Sequence, residues 1–408
     1  MIRCQHVVRH VRIGEETTVQ FPTLPVGEGR ERGKGDATVF SSPVLLAVWS
    51  LAHIAGVVAA LGAASAAEIP NDSAAGAGKD AGVIRYVGDG SDLQQVIDDA
   101  PARATIRCDP GCQLELTAPV TLNKALTLKG LNARLPERLG RTSLIVVEAE
   151  GVTIADVELH GNFDSVHQDE RAPLIAIHAG DFRLERCKFF DGSKDGVEVA
   201  PRRDGKDIVG GVIRDIEAFR IGRDAVSLSG GNRGLRVRDV TVENVRLEKG
   251  YFRGAVEVSD GTDRITVRNV YAEACVYAID VQDHGTGSAP NTNVHIENVE
   301  AVDCRHIIRT ANRDLGHAHL TLRKITGKNC AAPVQISNTK QVTIEGLAIL
   351  EHRGNSPPIV LTNCHGVRLK NVTVESAQFA DQPVKSSKCS EVDVDGLEGK
   401  QRIDAPDR

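Results

Sequence analysis

Aromatic side chains are scarce in this chain, at 3% of 408 residues with a single Trp. Few rings are therefore on hand as stacking platforms, which disfavours a neutral glycan as partner. A surplus of basic charge is also missing. The formal net charge is −6, and nowhere do Lys and Arg interleave with aromatics. That pattern excludes the electrostatic footprint of a nucleic-acid-binding protein. A zinc site lacks half its ligands: Cys108 and Cys112 in RCDPGCQ have C-x3-C spacing, but no matching Cys/His pair follows. GNRG at 231–234 has no phosphate-loop context, and the leucine spacing of a leucine-rich repeat is absent. What the chain has instead is 39 Gly and long series of β-branched residues. These favour strands and tight turns over helix packing.

The N-terminal part divides by composition. Residues 1–42 are polar and are expected to be unfolded, or to precede the true start. Residues 43–66, PVLLAVWSLAHIAGVVAALGAASA, carry no Asp, Glu, Lys or Arg and have the length of a secretory h-region. Ala64-Ser65-Ala66 fits an A-x-A cleavage site. A start at Val26 would leave GEGRERGKG as the basic n-region. A signal peptide is the expectation, with an uncleaved signal anchor as the alternative. The mature protein is then secreted or periplasmic, with no membrane partner after cleavage. Residues 67–82 are a small, polar linker. The folded part is expected to span 83–403, followed by a tail at 404–408.

From Leu126 onward one line recurs: apolar, x, apolar, x, Asn/Asp/Gly, apolar. Copies begin at Leu126, Val152, Phe182, Gly211, Val240, Ile265, Val294, Leu320, Val342, Val367 and Val392. The Gly211 copy is weak because its first residue is not apolar. A period of about 20–30 residues with strand alternation inside each copy means a solenoid, since no copy can bury its apolar side alone. A second short strand follows in each unit, such as GVEVA at 196–200, AVEVS at 255–259 and AIDVQ at 278–282. Two or three short strands per coil without a helix make a β-helix rung. Residues one coil apart then stack about 4.8 Å from each other.

The fifth position of the line reads Asp156, Arg186, Asp215, Asn244, Asn269, Asn298, Lys324, Gly346, Asn371 and Gly396. Asn, Asp and Gly tolerate the left-handed conformation of a sharp corner, and stacked amides bond along the column. Cys275, Cys304 and Cys330 fall on three successive coils, as small interior residues or as bonding partners. Cys108 with Cys112, and Cys364 with Cys389, are disulfide candidates in an exported chain. GSDLQQVIDDAP offers a helix to lie over the first coil. Ser91 and Gln94 form a capping-box pattern, and Leu93, Val96, Ile97 and Ala100 share one face.

The SDLQQVID helix, the strand LTLKG, the Asn column and the coil length together resemble the right-handed parallel β-helix proteins of the pectin-lyase-like class. The resemblance implies an all-β solenoid over 83–403. It also implies an activity drawn from polysaccharide lyases, glycoside hydrolases, uronate epimerases, adhesins or periplasmic carbohydrate-binding proteins. Ser193-Lys194-Asp195-Gly196 and Gly222-Arg223-Asp224-Ala225 look like the Asn-Thr-Asp and Gly-Asp-Asp segments of polygalacturonases. The next two coils depart: Arg253-Gly254 stands for His-Gly, and Ala278-Ile279-Asp280 for Arg-x-Lys.

With the apolar residues of the second strand turned inward, the outward column reads Ala176, Glu198, Ser227, Glu257, Asp280, Arg309 and Gln335. Glu257, Asp280, Arg309, Glu198, Asp224 and His284 are the candidate catalytic residues. Asp195, Arg223, Arg253, Arg305 and His306 are the candidate substrate contacts. Glu257 and Asp280 stand one rung apart, near a retaining-glycosidase spacing, and Glu198 and Glu257 two rungs apart. In a lyase or epimerase, Asp280 or Glu257, with a cation such as Ca²⁺, would neutralise a uronate carboxylate. Arg309 or His284 would then handle the proton. Solvated surface charge is the plain alternative for each residue alone. Ser227 has no histidine on adjoining outward positions and so makes no nucleophile–base pair. The reading is an exported protein acting on an acidic polysaccharide, or a non-catalytic glycan-binding or structural β-helix. The sequence carries no sign of its oligomeric state.

Overall fold

The computed structural model describes residues 82–109, 113–136, 142–164, 172–203, 205–231, 233–284, 287–311 and 316–398. The 1–42 segment, the 43–66 apolar run, nearly all of the 67–82 linker, Cys112 and the 404–408 tail lie outside these. Strands dominate, from Val83–Tyr86 to Ser390–Glu398, and every pairing is parallel. The chain winds as a right-handed parallel β-helix of about eleven turns. Eleven short strands, from Val120–Leu122 to Val384–Ser387, stack into one sheet, here the short-strand sheet. The recurring line forms the other, the long-strand sheet.

Register follows the repeat. Val240, Ile265, Val294, Leu320, Val342 and Val367 are Cα partners on successive turns and are all buried. Shifting any strand by one residue would turn this apolar column to water, so the alternation fixes the pairing. A column of charge does the same outside. Glu185, Arg214, Glu243, Arg268, Glu297, Arg323, Glu345, Lys370 and Asp395 are successive partners whose sign alternates without a break. Each opposite-charge pair contributes only about 0.2–1 kcal/mol, but a slip of one strand would break its pairs on both sides.

The fifth position turns the corner. Asp156, Arg186, Asp215, Asn244, Asn269, Asn298, Lys324 and Asn371 have φ between 51° and 58°, and Gly346 and Gly396 have 70°. Asn244 Nδ2 donates to Asp215 at 2.7 Å, Asn269 to Asn244 at 2.8 Å, and Asn298 to Asn269 at 2.8 Å. Arg186, a poor left-handed residue, is held by Asp156 at 2.5 Å and Glu185 at 3.1 Å. The weak Gly211 copy is explained by its neighbour below. The Phe182 ring fills that space, and a Cβ on Gly211 would sit 2.4 Å from it.

Two expectations change. The helix spans Leu93–Asp99 with Asp92 at its N-cap, and no capping box forms. Ser91 bonds Asp89, while Gln94 reaches the backbone of Thr121, because a strand edge offers it both a donor and an acceptor. Cys364 and Cys389 stack as free thiols, the backbone N–H of Cys364 lying 3.4 Å from Cys389 Sγ. Cys108 is buried, and its candidate partner Cys112 lies outside the described residues. Cys275 and Cys304 meet at 3.1 Å between sulfurs, also unbonded. They fill interior corners, and each thiol points at backbone carbonyls of its own turn or the one below.

Candidate functional site

The outward column of the short-strand sheet stands in the order the alternation requires. Ala176, Glu198, Ser227, Glu257, Asp280, Arg309 and Gln335 are consecutive Cα partners. Beside it, the turns entering this sheet supply Lys194, Arg223 and Arg253, with Asp195 and Asp224 directly after the first two.

Glu257 is the hub and is only 1% exposed. Its Oε2 accepts from Ser227 Oγ at 2.8 Å and faces Arg223 Nη2 at 3.5 Å. Its Oε1 takes bonds from Arg253 and Gln282. Burial works to raise its pKa, but Arg253, Arg223 and His284 outweigh it and the net direction is down. Glu257 is therefore ionised. Asp195 and Asp224 are fully buried. Asp195 Oδ1 accepts the backbone N–H of Asp224 at 3.1 Å. Asp224 Oδ1 accepts the N–H of Gly254 at 3.2 Å and the Tyr277 hydroxyl at 2.9 Å. In both residues Oδ2 has no hydrogen-bond partner. Only charges stand near: Lys194 lies 3.6 Å from Asp195 Oδ2, and Arg253 3.7 Å from Asp224 Oδ2. Burial raises Asp195 to about 6. Burial, then Glu257 and Asp195, lift Asp224 well above the carboxylate range. Both neighbouring acids therefore hold their protons to higher pH than a free carboxylate.

Gly254 makes the Tyr277 contact possible. A Cβ there would lie 1.7 Å from the Tyr277 carbonyl and 2.6 Å from its ring, so only glycine leaves the phenol a path to Asp224. On the far side, the 283–291 loop brings in His284. Its Nδ1–H donates to Asp260 at 2.5 Å, and its Nε2 accepts from Gln282 at 3.2 Å and Arg253 at 3.4 Å. The Asp260 bond raises His284, with burial opposing. Against the cost of burial, the same bond lowers Asp260 to about 2. Asn291 holds the loop base by accepting from Gly261, Thr262 N–H and Thr262 Oγ1. His317 Nε2 meets Asp283 at 3.0 Å.

Not every candidate joins the cluster. Asp280 is fully buried and locked by both arms of Arg309, although burial still raises its pKa. Glu198 is held by Lys194 at 2.7 Å. Arg305 is exposed at the edge. His306 is a correction: it is 3% exposed, with Nδ1 on the Ala332 carbonyl at 2.6 Å, and burial lowers it to about 4. It follows Tyr277 in register, so it faces inward and is no substrate contact. Tyr277, Gln282 and Asp260 were not anticipated. Tyr277 and Gln282 begin and end one strand: Tyr277 has the inward parity of Ile279 yet its hydroxyl reaches Asp224, while Gln282 shares the parity of Asp280 and reaches Glu257 on the neighbouring turn.

The carboxylates do not suit Ca²⁺. Lys194, Arg223, Arg253 and Arg309 already stand against them, and no three His, Cys, Asp or Glu side chains gather as ligands among the described residues. A groove of about 540 Å³ lies elsewhere, along the Asn ladder between Asp215 and Asn298.

No family model and no curated protein matches the chain in sequence. Its fold has solved counterparts. A Yersinia enterocolitica family 28 exopolygalacturonase superposes over 78% of this chain and 76% of its own, with TM-score 0.53 and 12% identity. An endo-xylogalacturonan hydrolase from Aspergillus tubingensis covers 78% and 94%, with TM-score 0.45 and 12% identity. The Streptococcus pneumoniae surface protein and adhesin PfbA covers 76% and 94%, at 0.43 and 10%. The fold is that of the pectin-lyase-like β-helices. At these identities the likeness of the pectin-lyase-like β-helices extends to the fold alone.

Proposed function

We propose that this is an exported, carbohydrate-active β-helix that hydrolyses a glycosidic bond in a uronate-bearing polysaccharide. The observation that carries the reading is the Asp195–Asp224 pair. The two acids sit one turn apart, near the spacing of a retaining pair of about 5 Å, and each has one oxygen without a hydrogen bond. Asp224, protonated, donates to the leaving oxygen. Asp195, ionised near neutrality, acts on the anomeric carbon. Arg223 and Arg253 now stand over both carboxylates, 24% exposed. Arrival of a substrate carboxylate gives these guanidiniums a better partner and uncovers the acids.

Purified protein incubated with polygalacturonate and alginate should release reducing ends. Asp224→Asn should slow release by about 10²–10⁴-fold, the usual contribution of a general acid. Parental rates in that variant defeat the assignment. A product absorbing in the ultraviolet as unsaturated uronate would replace hydrolysis with elimination. The complete burial of both acids favours a second reading, a non-catalytic glycan binder, which predicts binding without release. Export rests on the 43–66 run. N-terminal sequencing of protein recovered outside the cytoplasm should begin just after Ala66.

A further inference from the structure

A chain with 4 Tyr and 9 Phe has placed two of these rings in water beside the cluster. Tyr251 is 50% exposed and Phe252 39%, in the turn between Gly250 and Gly254 that delivers Arg253. The turn is pinned, not loose. The Tyr251 N–H donates to the Ile221 carbonyl at 3.1 Å and the Phe252 N–H to Gly222 at 3.1 Å. A third ring backs it from outside the local sequence. Phe163 packs on Tyr251 with centroids 4.5 Å apart, tilted by 31°. Phe163 is itself held, through its N–H on the Asp191 carbonyl at 2.9 Å and under the Arg220 guanidinium at 5.6 Å. Exposed rings that are fixed in place have little entropy left to lose on binding, which is what a recognition surface needs.

We infer that Tyr251, buttressed by Phe163 and flanked by Phe252, is a sugar-stacking subsite for the pyranose next to the one at Asp195 and Asp224. The ligand class is an anionic, uronate-bearing chain. Tyr251 offers its ring to the apolar C–H face of a sugar, and the adjoining Arg253 and exposed Arg305 supply cations for a carboxylate. A neutral chain would use the ring and gain nothing from the guanidiniums. This inference deepens the proposed function and rests on it for the identity of the neighbouring sugar.

Affinity electrophoresis separates the two. The probes are gels containing polygalacturonate or, as the neutral control, dextran, with every variant also carrying Asp224→Asn to stop turnover. The parent should be retarded by polygalacturonate and not by dextran. Tyr251→Ala should weaken retardation about tenfold in Kd, the size expected for losing one ring contact with its buried area. Tyr251→Trp should keep or strengthen it, and a circular dichroism spectrum should confirm that each variant is folded. Equal retardation of Tyr251→Ala and its parent overturns the subsite and leaves the hydrolase assignment standing. Retardation that depends on Tyr251, with no reducing ends released by the protein that keeps Asp224, supports the subsite and removes the hydrolase. Stronger retardation by dextran overturns the ligand class.

Discussion

Asp224 depends on one hydroxyl from a residue more than fifty positions away. Tyr277 donates to its Oδ1, which leaves Oδ2 to carry the proton. Tyr277→Phe removes a donor that favours the ionised form, so Asp224 should hold its proton to still higher pH. The alkaline limb of the rate profile should move upward, and stability should fall by about 1–3 kcal/mol for the acceptor left less satisfied. An unmoved limb would show that Tyr277 only packs. His284 and Asp260 give a second residue-level expectation. Asp260, 3% exposed, is lowered from 3.8 to about 2, so its contribution is present above pH 4 and lost as pH falls towards 2. His284 is raised from 6.5, so its contribution is present below that value and fades as pH rises through the higher folded one. The pair should therefore add most between about pH 4 and 6.5, on the order of 2 kcal/mol. His284→Ala should lower the urea midpoint more at pH 5 than at pH 8.

Strands here are specified twice, by an apolar column inside and a charge column outside. Arg268 stands between Glu243 and Glu297. Arg268→Glu would set three acids in a row, at a cost of about 1–2 kcal/mol in urea unfolding, with partial recovery in the double variant that adds Glu243→Arg. A single variant as stable as the parent would mean that water screens the ladder completely. At the corners the backbone is the constraint. Asn269 has φ 57° and sits mid-ladder, donating to Asn244 and accepting from Asn298. Asn269→Val should cost about 1–3 kcal/mol, whereas Asn269→Gly keeps the conformation and loses only the amide bonds. Two further left-handed columns were not foreseen. One precedes each copy of the line, at Asp239, Arg264, Asn293 and His319, and one closes it, at Lys249, Ala274, Asp303 and Asn329. Their residue types vary too widely for composition to reveal, and only the fixed offset betrays them.

In the described solenoid each turn touches the turns beside it, so stability is a sum of turn and interface terms rather than one core. The candidate site draws on this arrangement. Its acids and bases come from Asp195, Asp224, Glu257, Asp280 and His284, spread over roughly ninety residues, yet the stack brings them within one patch. His284 comes from the loop after Gln282, which runs nine residues before the next strand begins at Thr292. Because Asn291 and His317 tie that loop to neighbouring turns, Asn291→Ala should loosen His284 without unfolding the stack. Hydrogen exchange should then rise around 283–291 and stay unchanged in Val334–Ser337.

Period, alternation and corner residues could be read from the chain because each is a local property repeated many times. Coil length sets which residues become vertical neighbours, and a two-residue alternation sets which face water. The column from Ala176 to Gln335 followed from nothing more. What the line of residues could not convey is how side chains reach between columns. His306 looked like a surface histidine beside Arg305, but register with Tyr277 turns it inward. Cys364 and Cys389 had the spacing for a bond but stack as thiols. Asp224 looked like one surface acid among several. Its burial, the gap left by Gly254 and the phenol coming through it make its chemistry different. Those are consequences of packing density and local dielectric, which exist only once distant turns are in contact.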